Sequence, residues 1–316
     1  MKYEPRPIFI ERIKTLLDNE EDVNEFFRSA ETTSKKSIRA NTLKIRPNEL
    51  KLLLEKKGWK IHQYRDHPEI MQILSSLNPG ELGNSIEHVM GKYYIQEITS
   101  MMPILALNPK EEEMVLDLCA SPGSKTTQAV ALMKNKGNIF ANDVSIGRVS
   151  ILATNLERIG ATNVVITRHD GLILCNKFKK LGIKFDKILL DAPCSGEGGL
   201  RANPRVYLEW SEKMLRSLAK TQKKLINACL EILKDDGELL YSTCTYAPEE
   251  NESVIQHALN NFNLKVEKIN LPLKTRPGIK QWKDETYNND MEMAVRIYHH
   301  DNDLEGFFLC KLKKIK

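Results

Sequence analysis

The stretch Lys187–Gly198, KILLDAPCSGEG, joins an apolar run to a turn that carries two reactive side chains. Its first four residues predict a buried strand of a parallel sheet, because such strands are apolar on both faces. Asp191 and Cys194 follow in a turn that contains proline and glycine. Ligands of open α/β sheets bind at the carboxyl ends of the strands. An acid and a thiol at this edge therefore predict a reactive site, with Cys194 as a first candidate for a nucleophile.

Strands and helices alternate on both sides of this stretch. Strands are predicted at 114–118, 138–142, 163–167, 186–190, 237–242, 264–269 and 306–312, and helices notably at 124–134, 145–160, 213–233 and 249–261. This alternation is typical of a mostly parallel sheet that is covered by helices on both faces. Residues 85–316 are therefore predicted to form one large α/β domain.

The first 84 residues have a different pattern. Helices are predicted at 7–30 and 47–57, and strands at 37–44 and 59–64, which indicates a small α/β unit. Proline, glycine and asparagine punctuate residues 66–85, and this segment is interpreted as a linker. The predicted domain boundary lies between residues 84 and 85.

Composition and charge favour a soluble globular protein. Of the 316 residues, 41% are hydrophobic and 28% charged, and no apolar run approaches the roughly 18 residues that span a bilayer. The start of the sequence lacks the apolar core of a signal peptide, so a cytoplasmic location is expected. Six cysteines without close spacing predict neither a disulfide framework nor a metal site. A net charge of +5 fits an anionic partner weakly.

A turn rich in small residues follows the strand at 114–118. Its sequence, CASPGSKTT at 119–127, leads into a helix, and the N-terminus of that helix offers free N–H groups to an anion. Only Gly123 matches the glycine-rich loops that bind dinucleotides or nucleoside triphosphates. The sequence therefore favours neither of those ligands.

An acidic side chain follows each of the next three strands. Asp143 is placed to accept both ribose hydroxyls of an adenosine, Asp170 to meet an adenine amino group, and Asp191 ends the fourth strand. Acids at these three positions indicate a nucleoside cofactor without phosphates, and S-adenosylmethionine fits. The alternative, that each acid caps the helix after its strand, explains any one of them more easily than all three.

A second thiol, Cys244, ends the strand at 237–242. If the helix at 213–233 returns the chain alongside the strand at 186–190, Cys194 and Cys244 face one cleft. Cys175, Cys229 and Cys310 are interpreted as inert core residues. Cys119 is expected to meet the cofactor through its backbone.

The motifs around these thiols resemble the Nol1/Nop2/Sun family of RNA cytosine-5 methyltransferases. The central matches are DAPCSGEG at 191–198, YSTCT at 241–245 and PEENE at 248–252. CASPGSK at 119–125 resembles the family's cofactor loop, RANTLK at 39–44 its N-terminal segment, YIQE at 94–97 with Ser100 its pre-catalytic segment, and GFF at 306–308 its last strand. The match covers roughly residues 37–312. Ser121, Ser124 and His299 depart from the family's usual residues, and His299 puts the path of the 270–305 loop in doubt.

The resemblance implies a role for each site residue. Cys244 would be the nucleophile that attacks C6 of cytosine, Cys194 would help release the product as a base or proton relay, and Asp191 would contact N3. Lys125 either lies near the reacting atoms or packs at the helix N-terminus. The implied cofactor contacts are Cys119, Ala120, Ser121, Pro122, Gly123, Ser124, Lys125, Asp143, Arg148, Asp170 and Asp191.

The implied fold is a Rossmann-like class I S-adenosylmethionine-dependent methyltransferase with a small N-terminal, RNA-recognition-like α/β domain. Its seven strands would lie in the order 3-2-1-4-5-7-6, with the last antiparallel. Arg201 and Arg205 are predicted to hold phosphates, and Arg276 in the 270–305 loop to line the RNA channel. The target base must leave its stack to reach the thiol.

Several partners fit this reading. Transfer RNA is favoured because the chain is compact, with no appended RNA-binding domain evident after Lys316, and ribosomal RNA is the first alternative. A DNA cytosine-5 methyltransferase is less consistent, because that family uses the Pro-Cys thiol as nucleophile and leaves Cys244 unexplained. A non-catalytic RNA-binding or assembly factor is the alternative from another class. No membrane or metal partner is expected, and the protein is predicted to be a monomer.

Overall fold

The computed structural model describes residues 4–17 and 19–316. The helices are α1 Pro7–Leu17, α2 Glu20–Ala30, α3 Pro47–Glu55, α4 Glu81–Asn84, α5 Ile86–Val89, α6 Ile98–Leu107, α7 Ser124–Leu132, α8 Ile146–Ile159, α9 Gly171–Lys180, α10 Val206–Glu209, α11 Glu212–Glu231, α12 Glu252–Asn261 and α13 His299–Asn302. The strands are β1 Ser37–Ala40, β2 Ile61–Gln63, β3 Ile70–Ile73, β4 Tyr93–Ile95, β5 Met114–Asp117, β6 Asn138–Asn142, β7 Val164–Thr167, β8 Phe185–Asp191, β9 Leu233–Thr243, β10 Leu264–Glu267, β11 Arg276–Pro277, β12 Gln281–Trp282, β13 Glu285–Thr286, β14 Val295–Ile297 and β15 Phe307–Lys314.

The large sheet has the order β7-β6-β5-β8-β9-β15, and both β10 and β14 pair with β15. The strands from β5 to β9 are parallel, whereas β15 runs antiparallel to β9. The predicted order 3-2-1-4-5-7-6, with its last strand antiparallel, is therefore confirmed. The Rossmann-like fold class is confirmed with it.

Strands β8 and β9 are apolar on both faces because helices cover both sides of the sheet. Leu189 and Leu240 belong to one hydrophobic cluster, and their chain neighbours Leu190 and Tyr241 belong to the other. All four are fully buried. This burial places the carboxyl ends of the two strands side by side in the centre of the sheet. None of the helices in the described ranges is long and apolar enough to cross a membrane.

The 270–305 segment is more regular than a loop. It contains β11 to β14 and α13, and β11 extends the large sheet through β14. The Arg276 guanidinium bonds to Asp22 at 2.8 Å and to Asp301 at 2.6 Å, so its charge is paired within the protein, and its place in an RNA channel stays a prediction. His299 accounts for the departure from the family pattern: it is buried and its two ring nitrogens contact the Tyr246 hydroxyl and the Phe26 carbonyl.

A separate four-stranded sheet has the order β2-β3-β1-β4 and is antiparallel throughout. Strand β3 lies within residues 66–85, so the linker interpretation of that segment is wrong. The short strand Ile70–Ile73 is stabilised by burial and by pairing with β1 and β2 on either side. Its four residues are too few to give a long alternating pattern in the sequence. Strand β4 lies beyond residue 84, so this sheet crosses the predicted domain boundary.

Helices α1 and α2 pack against residues of the large domain rather than against the small sheet. The predicted helix at 7–30 consists of α1 and α2, and Asn19 caps α2 by accepting hydrogen bonds from two backbone N–H groups. Phe9 contacts Trp210 edge-on, and Phe26 contacts Tyr246 in the same way, each with ring centroids 5.3 Å apart. The two helices thus cover the chain segments that follow β8 and β9.

Hydrogen bonds connect the small sheet to α7, the helix that begins at the CASPGSK turn. The buried guanidinium of Arg39 in β1 donates to the Ser124 carbonyl and to the Thr127 hydroxyl, each at 2.8 Å. The Asn41 amide donates to the carbonyl of Ile159 at 2.8 Å. These bonds hold the two domains together beside the candidate site.

Candidate active site

The two thiols meet at the ends of neighbouring strands. Asp191 of β8 lies opposite Ser242 of β9, so the turn after β8 comes alongside the end of β9. The sulfur atoms of Cys194 and Cys244 are 3.4 Å apart, and both residues are half-buried. The cleft predicted from the sequence therefore exists in the structure.

The two thiols differ in acidity. The pKa of the Cys244 thiol is lowered by its hydrogen bond with Cys194 and, less strongly, by the positive charge of Lys125, and these effects outweigh burial and the negative charge of Asp191. The same hydrogen bond, together with burial, raises the pKa of the Cys194 thiol. These opposite directions favour the thiolate on Cys244 and the proton on Cys194.

Three chain segments are tied together behind the thiols. The Gly198 N–H donates to the Cys244 carbonyl, and the Gly306 N–H donates to the Gly198 carbonyl, each at 2.8 Å. A Cβ atom added at Gly198 would lie 2.2 Å from the Gly306 carbonyl oxygen. Only glycine permits this close approach, which fixes the distance between the two turns.

Asp191 and Lys125 form an ion pair next to the thiols. The Lys125 ammonium donates to one carboxylate oxygen of Asp191 at 2.7 Å and to the Ser100 hydroxyl at 3.1 Å. The Ser242 hydroxyl donates to the other oxygen of Asp191 at 2.7 Å. The ammonium also lies 5.3 Å from the centre of the Phe307 ring. Lys125 is thus beside the candidate reaction centre as well as in the first turn of α7.

Two cavities meet at this point. The first, of about 440 Å³, is bounded by Ser34 and Lys36 on one side and by Phe307 on the other. The second, of about 380 Å³, is lined by Cys119, Asp143, Asp170 and others. Asp191, Ala192 and Cys244 line both cavities. A ligand in one cavity would therefore meet a ligand in the other beside the Cys244 sulfur.

The predicted cofactor turn contributes to the second cavity in two ways. Cys119 and Ser121 line it directly, whereas Lys125 lines the first cavity. The remaining turn residues contact the protein around the turn. The Ala120 N–H donates to the Asn142 carbonyl, and the carbonyls of Pro122 and Ser124 accept from the side chains of Asn155 and Arg39. Gly123 has a left-handed φ of 103° and lies against Leu152.

The acids of the second cavity occupy the predicted strand ends. Asp143 is buried, accepts from the Ser145 N–H at 3.0 Å, and lies 3.3 Å from Arg148, which also bonds to the Ser121 carbonyl. Asp170 is exposed and caps α9 through two backbone N–H groups. Both acids retain acceptor capacity toward the cavity. The residues present therefore fit an adenosine ligand whose hydroxyl and amino groups need acceptors.

Sequence reasoning missed Asn142, which holds the cavity together. Its amide donates to the carbonyls of Leu118 and His169, and its oxygen accepts from the Thr167 hydroxyl at 3.0 Å. The residue thus joins the ends of three strands. The signal available in the sequence was an amide at a strand end directly before Asp143.

Arg201 does not hold phosphates. Its side chain is 1% exposed and forms an ion pair with Asp303 at 2.6 Å, and it donates to the carbonyl of Leu304 at 3.0 Å. The guanidinium is therefore used to fix the turn before β15. Arg205, the second arginine of that prediction, is exposed.

Comparison with known proteins shows the family of the chain. Residues 104–313 match the family described as 16S rRNA methyltransferase RsmB/F, and residues 6–98 match the N-terminal domain of 16S rRNA methyltransferase RsmF. The chain belongs to this family, which is the Nol1/Nop2/Sun family of the sequence resemblance, and that prediction is confirmed.

Two kinds of curated relative are similar over nearly the whole chain. A tRNA (cytosine(49)-C(5))-methyltransferase of Pyrococcus abyssi is 38% identical, with 96% of this chain and 95% of the relative covered. Ribosomal RNA small subunit methyltransferase F of Vibrio vulnificus is 36% identical over 97% of this chain. The chain spans 63% of the length of that relative.

Solved structures show the same architecture. A methyltransferase homolog protein from Pyrococcus horikoshii has a TM-score of 0.82 at 31% identity, covering 98% of this chain and 100% of the other. NSun6 from Pyrococcus horikoshii, solved with SFG, has a TM-score of 0.85 at 26% identity, covering 98% of each chain. The fold is that of S-adenosylmethionine-dependent methyltransferases.

Proposed function

We propose that this protein transfers a methyl group from S-adenosylmethionine to C5 of a cytosine in RNA. The observation that carries the proposal is the pair of thiols, 3.4 Å apart, at the junction of two cavities. The first cavity would hold the target base and the second the methyl donor. Asp191 and Lys125 lie where both ligands would meet.

The reaction requires a thiolate because C5 of cytosine is a weak nucleophile. The Cys244 thiolate adds to C6 while the protonated carboxyl group of Asp191 gives its proton to N3, which converts C4–C5 into an enamine whose C5 can attack an electrophilic carbon. Bound S-adenosylmethionine supplies an electrophilic methyl group on a sulfonium. A base then removes the proton from C5, the C6–S bond breaks to regenerate the Cys244 thiolate, and N3 returns its proton to the Asp191 carboxylate.

The remaining side chains would divide the proton transfers. Asp191 would donate a proton to N3 from its protonated carboxyl group, which Lys125 and Ser242 orient, and would take that proton back as the product is released. Cys194 would assist removal of the C5 proton and release of the product. Asp143, Asp170 and Arg148, together with the 119–125 turn, would hold the methyl donor through the contacts described above.

Transfer RNA is the proposed substrate class. The support is the tRNA methyltransferase of Pyrococcus abyssi, which matches this chain over nearly the full length of both proteins. Ribosomal RNA is the second candidate, because the matching family models and the Vibrio relatives are named for it. The lowered pKa of Cys244 disfavours the alternative chemistry in which the Pro-Cys thiol attacks.

The test is methyl transfer from labelled S-adenosylmethionine to total tRNA and, separately, to small-subunit rRNA, followed by mapping of 5-methylcytosine. Cys244→Ala should reduce transfer by at least about a thousandfold, because the covalent step is lost. Cys175→Ala is the control, because this thiol lies buried in α9 away from the cavities' junction. Full activity of Cys244→Ala, or binding without any transfer by the unmodified protein, would contradict the proposal and favour an assembly factor.

A further inference from the structure

The two thiols are chemically identical, so their surroundings must decide which one ionises. On the Cys244 side lies the ammonium of Lys125, which favours a thiolate. On the Cys194 side lies Glu250, a fully buried carboxyl group of the PEENE motif for which the proposed reaction has no use. A negative charge there opposes a second one on Cys194.

Glu250 is held directly behind the Cys194 turn. One of its carboxyl oxygens accepts from the N–H of Ser195 at 3.1 Å and from the amide of Gln222 at 2.7 Å. The same amide of Gln222 donates to the Pro193 carbonyl at 2.8 Å. Glu250 and Gln222 therefore hold the backbone on both sides of Cys194 through hydrogen bonds.

The position of Glu250 is rigid, and its charge is poorly compensated. Its backbone carbonyl accepts from the Tyr241 hydroxyl at 2.6 Å. Its other carboxyl oxygen is buried without a hydrogen-bond partner among the described residues. Burial, and the nearby Glu197, raise the pKa of Glu250 to about 7. The group thus changes charge near neutral pH, next to a thiol.

We propose that Glu250 is a positioning residue that keeps the proton on Cys194, so that Cys194 donates to Cys244 and Cys244 becomes the nucleophile. The carboxyl group acts through the Ser195 N–H, which sets the direction of the Cys194 side chain, and through its charge. This inference rests on the proposed function, because it explains the roles assigned there to the two thiols.

Other titratable groups face this cluster from neighbouring elements. Lys125 of α7 and Asp191 of β8 face Cys244, and Glu197 and Tyr241 face Glu250. Arg12 of α1 lies on the far side of Glu197 and bonds to Glu249. Any pH profile of the thiols therefore contains contributions from these groups, and a matched control variant is needed.

The test measures the reactivity of each thiol in the full-length protein without RNA or methyl donor. Iodoacetamide is the probe, and mass spectrometry of peptides gives separate alkylation rates for Cys194 and Cys244. At about pH 8 the ratio of the Cys194 rate to the Cys244 rate should rise about fivefold in Glu250→Gln, because the shape is kept and the charge removed.

Glu249→Gln is the control, because its carboxylate bonds to Arg12 and Trp282 instead of facing the thiols. Its rate ratio should equal that of the unmodified protein. An unchanged ratio in a folded Glu250→Gln protein would overturn the inference, since a role in packing alone survives this substitution.

A second variant covers the case in which Glu250→Gln does not fold. Gln222→Met removes a donor that stabilises the Glu250 carboxylate, so the rate ratio should rise about twofold. An unchanged ratio in this variant would also count against the inference. The experiments distinguish failure of this inference from failure of the proposed function. The alkylation ratios are measured without methyl transfer, so absence of transfer in the unmodified protein would not change them.

Discussion

Cys194 and Cys244 follow adjacent strands, yet their surroundings differ. Cys244 directly follows β9, an eleven-residue strand in the middle of the sheet between β8 and β15. Cys194 lies in a turn three residues beyond β8. The side chains of Glu250 and Gln222 are hydrogen-bonded to the backbone of this turn. The pKa values of these two cysteines thus shift in opposite directions, chiefly through the hydrogen bond that they share, with Lys125 helping to lower that of Cys244 and Glu250 helping to raise that of Cys194.

The comparison shows that a cysteine motif alone does not identify a nucleophile. The Pro-Cys motif at 193–194 is the more conspicuous of the two in the sequence, and it first indicates Cys194. In the structure the two sulfur atoms share a hydrogen bond, and this bond lowers the pKa of the Cys244 thiol. The two thiols form one unit in which each determines the proton state of the other.

Removing the Cys194 thiol is the strongest way to separate the two roles. In Cys194→Ala the proposed nucleophile remains, so a covalent protein–RNA complex should form and then break down roughly a hundredfold more slowly, because the thiol proposed to assist release is missing. The complex is measured as a band that survives a denaturing gel. A Cys194→Ala/Cys244→Ala double variant should give no band, and absence of the band in the single variant would refute the release role.

Moving the two turns apart should have a smaller effect. Gly198→Ala places a methyl group 2.2 Å from the Gly306 carbonyl oxygen, so the turns must separate, and we expect a loss of methyl transfer of about tenfold or more. Gly199→Ala is a matched control, because a Cβ there meets nothing within 4 Å. Equal initial rates for the two variants would show that the distance between the turns is not critical.

Removing the cation should have the smallest effect of the three. The charge of Lys125 helps to lower the pKa of Cys244, so in Lys125→Met that pKa rises and the thiolate appears at higher pH. The alkylation profile of Cys244 should shift upward by about one pH unit. Lys36→Met, which alters an exposed cation of the same cavity, should leave the profile in place. A downward shift would contradict the inference that the Lys125 charge lowers the pKa of the Cys244 thiol.

Regular parts of the fold could be predicted because their signals are local. The apolar run before Asp191 and the small-residue turn at 119–123 each carry enough information for their strand or turn. Strand β3 was missed because four residues between punctuating prolines and glycines give too short a pattern, and its pairing with β1 and β2 decides its structure. Arg201 was misread because its partners, Asp303 and Leu304, lie about a hundred residues away.

The sequence by itself determined the residue types that the chemistry needs: two thiols after apolar strands, an acid before one of them, and acids after the neighbouring strands. Only the tertiary structure decided that the thiols lie 3.4 Å apart, that two cavities meet at Cys244, and that Glu250 stands behind Cys194. The physical reason is that these properties depend on contacts between segments 50 or more residues apart. Distance and burial, which set the thiols' pKa values, are created only when the sheet forms.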